Sequence, residues 1–105
     1  MTQAGAIKSD QREAPRDEVH YRTRGTLGDG RTLQLLIVNM SARGLMARCE
    51  ASMSEGESVR VRLPVVGTVS AHVRWALGGR FGCELDQVIP LADYLLVLAT
   101  MVARG

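Results

Sequence analysis

Two short sets of residues in this chain could do chemistry together. Arg12 and Arg16 lie four apart in a polar stretch, and Asn39, Ser41 and Gly44 are spaced through the run Val38-Asn39-Met40-Ser41-Ala42-Arg43-Gly44-Leu45. A guanidinium presents a planar fork of donors that grips a phosphate or a base edge through two bonds and stacks on a ring. Asn and Ser at a tight corner hydrogen-bond nearby backbone or a bound acceptor. Glycine there tolerates positive φ and lets another group approach the backbone closely. Taken alone, the corner reads as a loop joining two strands and the arginines as charges on an arm. Taken together, they describe paired guanidiniums that an intervening segment could return to a polar corner.

The elements that must position them follow from the hydrophobic periods. Residues 1–18 carry Gln, Gly, Ser, Pro and charges of both signs without helical or alternating pattern, and read as a mobile arm. Pro15 opposes a helix through Arg12 and Arg16, so an extended turn is the form expected to aim both at one ligand. From Val19 the pattern becomes strand, with Arg22 and Arg24 at alternate positions, and Gly28-Asp29-Gly30 supplies a hairpin turn. Residues 31–38 return into the Asn39 corner. Leu45, Ala47 and Cys49 alternate with Met46, Arg48 and Glu50, and Val59, Val61 and Leu63 alternate with Ser58, Arg60 and Arg62. Val69, Ala71, Val73 and Trp75 are expected to line one face of a fifth strand, and Phe81, Cys83 and Leu85 one face of a sixth. Six strands joined by short turns predict an antiparallel all-β barrel or sandwich, with residues 19–105 forming the folded unit.

The last segment changes period. Pro90 suits a first helical position, Asp93 a first turn, and Leu91, Leu95, Leu98 and Val102 recur at helical spacing over about residues 90–102. Leu96, Val97 and Met101 widen the apolar surface, so this helix should need cover on more than one side, as a plug in the barrel end or as a contact for a partner.

Composition narrows the function classes. A chain of 105 residues with 46% hydrophobic and 23% charged residues is one ordinary globular domain, and a net charge of +2 marks neither a nucleic-acid nor a membrane binder. The cations are nonetheless twelve arginines against a single lysine. Cys49 and Cys83 share parity with apolar neighbours and read as small core residues of a reducing compartment, so the expected location is cytoplasmic. No apolar run reaches the ~18–20 residues that a membrane span needs. His20 and His72 have no partner at metal or triad spacing, Ser41 lacks the glycines of a nucleophile elbow, and no phosphate-cradling loop occurs. The chain is expected not to be an enzyme and to carry no cofactor or metal.

With both motifs in view, the chain resembles a PilZ domain, the bacterial module that binds cyclic di-GMP. The resemblance rests on Arg12-x-x-x-Arg16 followed by Asn39-x-Ser41-x-x-Gly44, with support from Val73-Arg74-Trp75, Gly78-Gly79 and Phe81-Gly82, and covers about residues 11–102. It implies a six-stranded antiparallel barrel with a C-terminal helix, in which Arg12 and Arg16 contact guanine and phosphate while Asn39, Ser41 and Gly44 form the opposing wall. Guanine offers O6 and N7 acceptors to an arginine fork, which fits independently. Gln11 stands where some members carry a further Arg, resembling members that take one ligand molecule, and Asn39 replaces the commoner Asp. The arm is expected to order on the ligand and to signal through an effector protein, the chain being a monomer or weak homodimer. Two alternatives stand beside this: a PilZ-like interaction adaptor that binds no nucleotide, and a barrel binding single-stranded nucleic acid through Arg22, Arg24, Arg60, Arg62 and Arg74. Arg22 and Arg24 are either ligand contacts or a solvated face.

Overall fold

The computed structural model describes residues 16–104. Alternating apolar residues place six strands in chain order: β1 (Asp17–Leu27), β2 (Thr32–Met40), β3 (Gly44–Arg48), β4 (Ser58–Leu63), β5 (Gly67–Leu77) and β6 (Arg80–Leu85), followed by the helix α1 (Leu91–Arg104). They close into an antiparallel barrel in the order β1-β2-β3-β6-β5-β4. The six-stranded antiparallel β-barrel with a C-terminal helix is therefore the architecture of the chain. β1 begins at Asp17, two residues before the Val19 expected from the pattern. Its far end pairs with β4 as well as β2, with Gly25, Thr26 and Leu27 facing Val61, Arg60 and Val59, and this seam closes the barrel.

Strand parity decides most of the core. Val59, Val61 and Leu63 of β4 are buried and Arg60 and Arg62 exposed; Phe81, Cys83 and Leu85 of β6 are buried opposite Glu84. Leu33, Leu35 and Ile37 of β2 join them, with Leu45 and Ala47 of β3. Cys49 and Cys83 are free, buried thiols within this one cluster, as their parity suggested.

Trp75 corrects the expected pattern. Val73 pairs with Cys83 but Trp75 pairs with the adjacent Gly82, so β5 carries one extra residue here. Because side chains alternate at a period of two, the bulge reverses the faces beyond Val73. Ala76 packs toward the core in place of Trp75, which lies outside and is 40% exposed.

The helix is also oriented differently from its apolar spacing. It begins at Leu91, the Pro90 carbonyl accepting a hydrogen bond from Tyr94 N at 2.8 Å. Its buried stripe is Tyr94, Val97 and Met101, flanked by half-buried Leu98, whereas Leu91, Leu95, Leu96 and Val102 are exposed. The helix is covered on one side only. The reason lies in Tyr94, whose hydroxyl donates to Asp17 Oδ2 at 2.5 Å and lies 3.1 Å from the Met40 carbonyl. Those bonds set which face meets the barrel, and the leucines turn away from it.

The β4–β5 connection contains a strained residue. Val65 has φ of 69°, and Val66 N bonds the Pro64 carbonyl at 2.7 Å across it, closing a three-residue turn. A β-branched side chain in this region costs on the order of 1–3 kcal/mol, and glycine gives back only about 0.5–1 kcal/mol of that through its freer unfolded chain. Val65→Gly is expected to stabilise the protein by about 1 kcal/mol, read as a higher urea midpoint at unchanged slope.

Candidate ligand site at the end of β1 and β2

The site is built where β2 ends and β1 begins. Leu33, Leu35 and Ile37 are buried, and unbroken alternation would carry Asn39 inward after them. Instead Ile37 pairs with Ala47 and Asn39 with the adjacent Met46, so β2 holds an extra residue at Val38. The bulge sends Met40 into the core and turns Asn39 outward, half-buried. Across the β1–β2 ladder Asn39 pairs with Glu18, and Arg16 lies two residues before Glu18. A long side chain reaches such a diagonal neighbour. Arg16 Nη1 donates to Asn39 Oδ1 at 3.0 Å, and Asn39 Nδ2 lies 3.6 Å from Met46 Sδ. Residues 23 apart in sequence thus meet through their side chains.

Ser41 and Gly44 shape the corner on which this pair stands. Ser41 N donates to the Gly44 carbonyl at 2.9 Å, and Ser41 Oγ accepts from Arg43 N at 3.2 Å, so the buried hydroxyl holds the turn. Gly44 is required for space and not for positive φ, since it is absent from the positive-φ glycines. A Cβ at this position would lie 2.5 Å from the Cys83 carbonyl oxygen of the neighbouring β6 backbone. The corner's other polar groups face the end of the sheet: Leu85 N donates to the Arg43 carbonyl at 2.8 Å and Ile89 N to the Ala42 carbonyl at 2.9 Å.

Of the residues singled out in the sequence, Arg16, Asn39, Ser41 and Gly44 therefore come together, two presenting side chains and two forming the support. Arg12 lies outside the described residues. Arg22 and Arg24 are exposed further along β1. The support includes residues that spacing did not reveal. Tyr94 ties Asp17, the residue after Arg16, to the last carbonyl of β2. Burial, with the Asp17 hydrogen bond and charge adding to it, raises the Tyr94 phenol well above its ordinary 10.0, while Arg16 opposes the shift. Burial likewise pushes the Cys83 thiol from 9.0 to about 12, against a Leu45 backbone hydrogen bond and Arg16. Both groups stay protonated at neutral pH, so Cys83 is packing and not a nucleophile.

Elsewhere the β5–β6 hairpin brings His72 Nδ1 to 2.8 Å from Asp86 Oδ1, a pairing hidden by a separation of 14 residues. Both side chains are about half exposed. Among the described residues there is no cluster of three or more His, Cys, Asp or Glu that could hold a metal, and no helix long and apolar enough to cross a membrane.

No family model matches the chain, and no curated protein matches it. Solved structures do match its fold. The crystal structure of the PilZ domain of CeSA from a cellulose-synthesizing bacterium aligns with a TM-score of 0.61 at 16% identity, over 87% of this chain and 98% of that one. The chain has a PilZ-like fold.

The two glycines packed against β6 and Trp75 should respond differently to a methyl group. At Gly44 the obstacle is backbone, and Gly44→Ala is expected to cost about 2 kcal/mol. At Gly82 the Cβ would meet the Trp75 ring at its Nε1, but that ring, partly exposed, can swing outward. Gly82→Ala should cost less than about 1 kcal/mol, and urea unfolding of the two variants checks the order.

Proposed function

We propose that this chain is a receptor for cyclic di-GMP, with Arg16 and Asn39 at the centre of the site. The observation that supports the reading is the 3.0 Å bond between Arg16 and Asn39, because it joins one arginine of the motif to the polar corner. The guanidinium spends one donor on Asn39 Oδ1. A guanine edge or a phosphodiester offers stronger acceptors, and an arginine fork meets either one through two bonds. Asn39 then has its carbonyl free for the base, its amide staying beside Met46, while Ser41 and Gly44 hold the corner beneath it. Arg12 supplies the second guanidinium in this reading, and the two cationic side chains balance the two phosphodiester charges.

The output follows from the neighbour of Arg16. Asp17 is bonded to Tyr94 of α1, so a ligand that redirects Arg16 bears on the helix through one residue of backbone. α1 in turn exposes Leu91 and Leu95 to an effector protein. The arm closes on the ligand, and the effector reads the altered surface.

Calorimetric titration with cyclic di-GMP tests the receptor reading, with GTP as the control nucleotide. Arg16→Ala and Asn39→Ala are each expected to weaken binding, the arginine change by on the order of 1.5–3 kcal/mol, or about one to two decades. Arg16→Lys should weaken it as well, since a point charge cannot reproduce the fork. No heat and no thermal stabilisation at roughly 100 μM ligand would leave the adaptor reading, in which the same fold meets a protein without nucleotide.

A further inference from the structure

The β1–β4 seam carries a second cationic feature, remote from the Asn39 corner. In its register Thr26 faces Arg60 and Gly25 faces Val61, and just beyond this ladder the Thr23 hydroxyl donates to the Arg62 carbonyl at 2.6 Å, which brings Arg24 and Arg62 to one cavity. The neighbouring ladders set Thr26 opposite Thr32 and Arg62 opposite Thr68. Arg24, Arg60 and Arg62 are exposed on the same outer face, and with Thr26, Thr32 and Thr68 they line an open cavity of about 440 Å³. No carboxylate lines it. Asp86 shares a separate cavity wall with Arg60 but is bonded to His72. Among the described residues, none of the three guanidiniums forms an ion pair.

Like charges placed opposite one another across a sheet destabilise it. Three such groups within two residue rows, with hydroxyls beside them and no counter-charge among the described residues, suit an anion better than they suit the free barrel. The face spans about 14 Å across four strands at 4.8 Å spacing, long enough for several acidic side chains in an extended segment. A nucleic acid needs stacking platforms as well as charge, and no aromatic residue lines the cavity. We infer that the β1–β4 seam is a docking site for a carboxylate-rich segment of a partner protein, held by Arg24, Arg60 and Arg62. The site is independent of nucleotide binding at the Asn39 corner.

The test is fluorescence anisotropy of the full chain with a fluorescein-labelled octaglutamate peptide, and in parallel with a labelled thymidine octanucleotide. The seam variant is Arg24→Gln/Arg60→Gln/Arg62→Gln, and the charge-matched control is Arg31→Gln/Arg48→Gln/Arg74→Gln. Saturable peptide binding is expected for the wild type and the control, at least tenfold weaker in the seam variant and abolished at high salt. The seam variant should also melt at or above the wild-type temperature, because it loses repulsion. Equal losses in the seam variant and the control would reduce the site to general charge and overturn the proposal, as would the absence of saturable binding. Tighter binding of the oligonucleotide through the same arginines would overturn the choice of partner. A lower melting temperature of the seam variant would remove the repulsion on which the site is argued.

Discussion

The corner from Ser41 to Gly44 is the constraint on which the rest of this molecule depends. Its carbonyls accept from Ser41, Leu85 and Ile89, so one short turn closes β2 onto β3, fixes the end of β6 and directs the chain toward α1. Gly44 must be glycine because the β6 backbone passes where its side chain would be. Buried backbone groups need partners, and here the carbonyls of Ala42, Arg43 and Gly44 find them. The consequence is a rigid platform at one barrel end, and Asn39 stands on its edge.

That platform is also where local structure becomes chemistry. The Val38 bulge turns Asn39 outward, and the ladder with β1 brings Arg16 to it. Tyr94 then adds the helix to the same end through Asp17 and Met40. Strand register, a bulge and one buried hydroxyl together place a cation, an amide and a helix within reach of one ligand. The opposite part of β1 has another character, with arginines gathered along the closing seam.

Much of this was legible in the residues. The alternation holds throughout β4 and is broken in β6 only by the buried Gly82, so Val59, Val61, Leu63, Phe81, Cys83 and Leu85 are where period-two reasoning puts them. The spacing of Asn39, Ser41 and Gly44 announced a tight corner, although Gly44 serves close approach and not left-handed backbone. What the sequence concealed were events of parity and choice. A bulge at Trp75 reverses two faces and leaves no mark in composition. The helix is apolar over so much of its circumference that its pattern admitted several buried stripes, and a single Tyr94 hydroxyl decided among them. The His72–Asp86 pair depends on the register of the β5–β6 hairpin, and the approach of Arg24 to Arg60 and Arg62 on the closure of the barrel between β1 and β4.

The most direct measurement of the central claim is a titration of the isotopically labelled protein with cyclic di-GMP followed by amide NMR. The account predicts that the Asn39 side-chain amide and the Ser41 and Gly44 backbone amides shift together and saturate with one affinity, followed by Asp17 and Tyr94. Shifts confined to the β1–β4 seam, or a spectrum unchanged at saturating nucleotide, would contradict it.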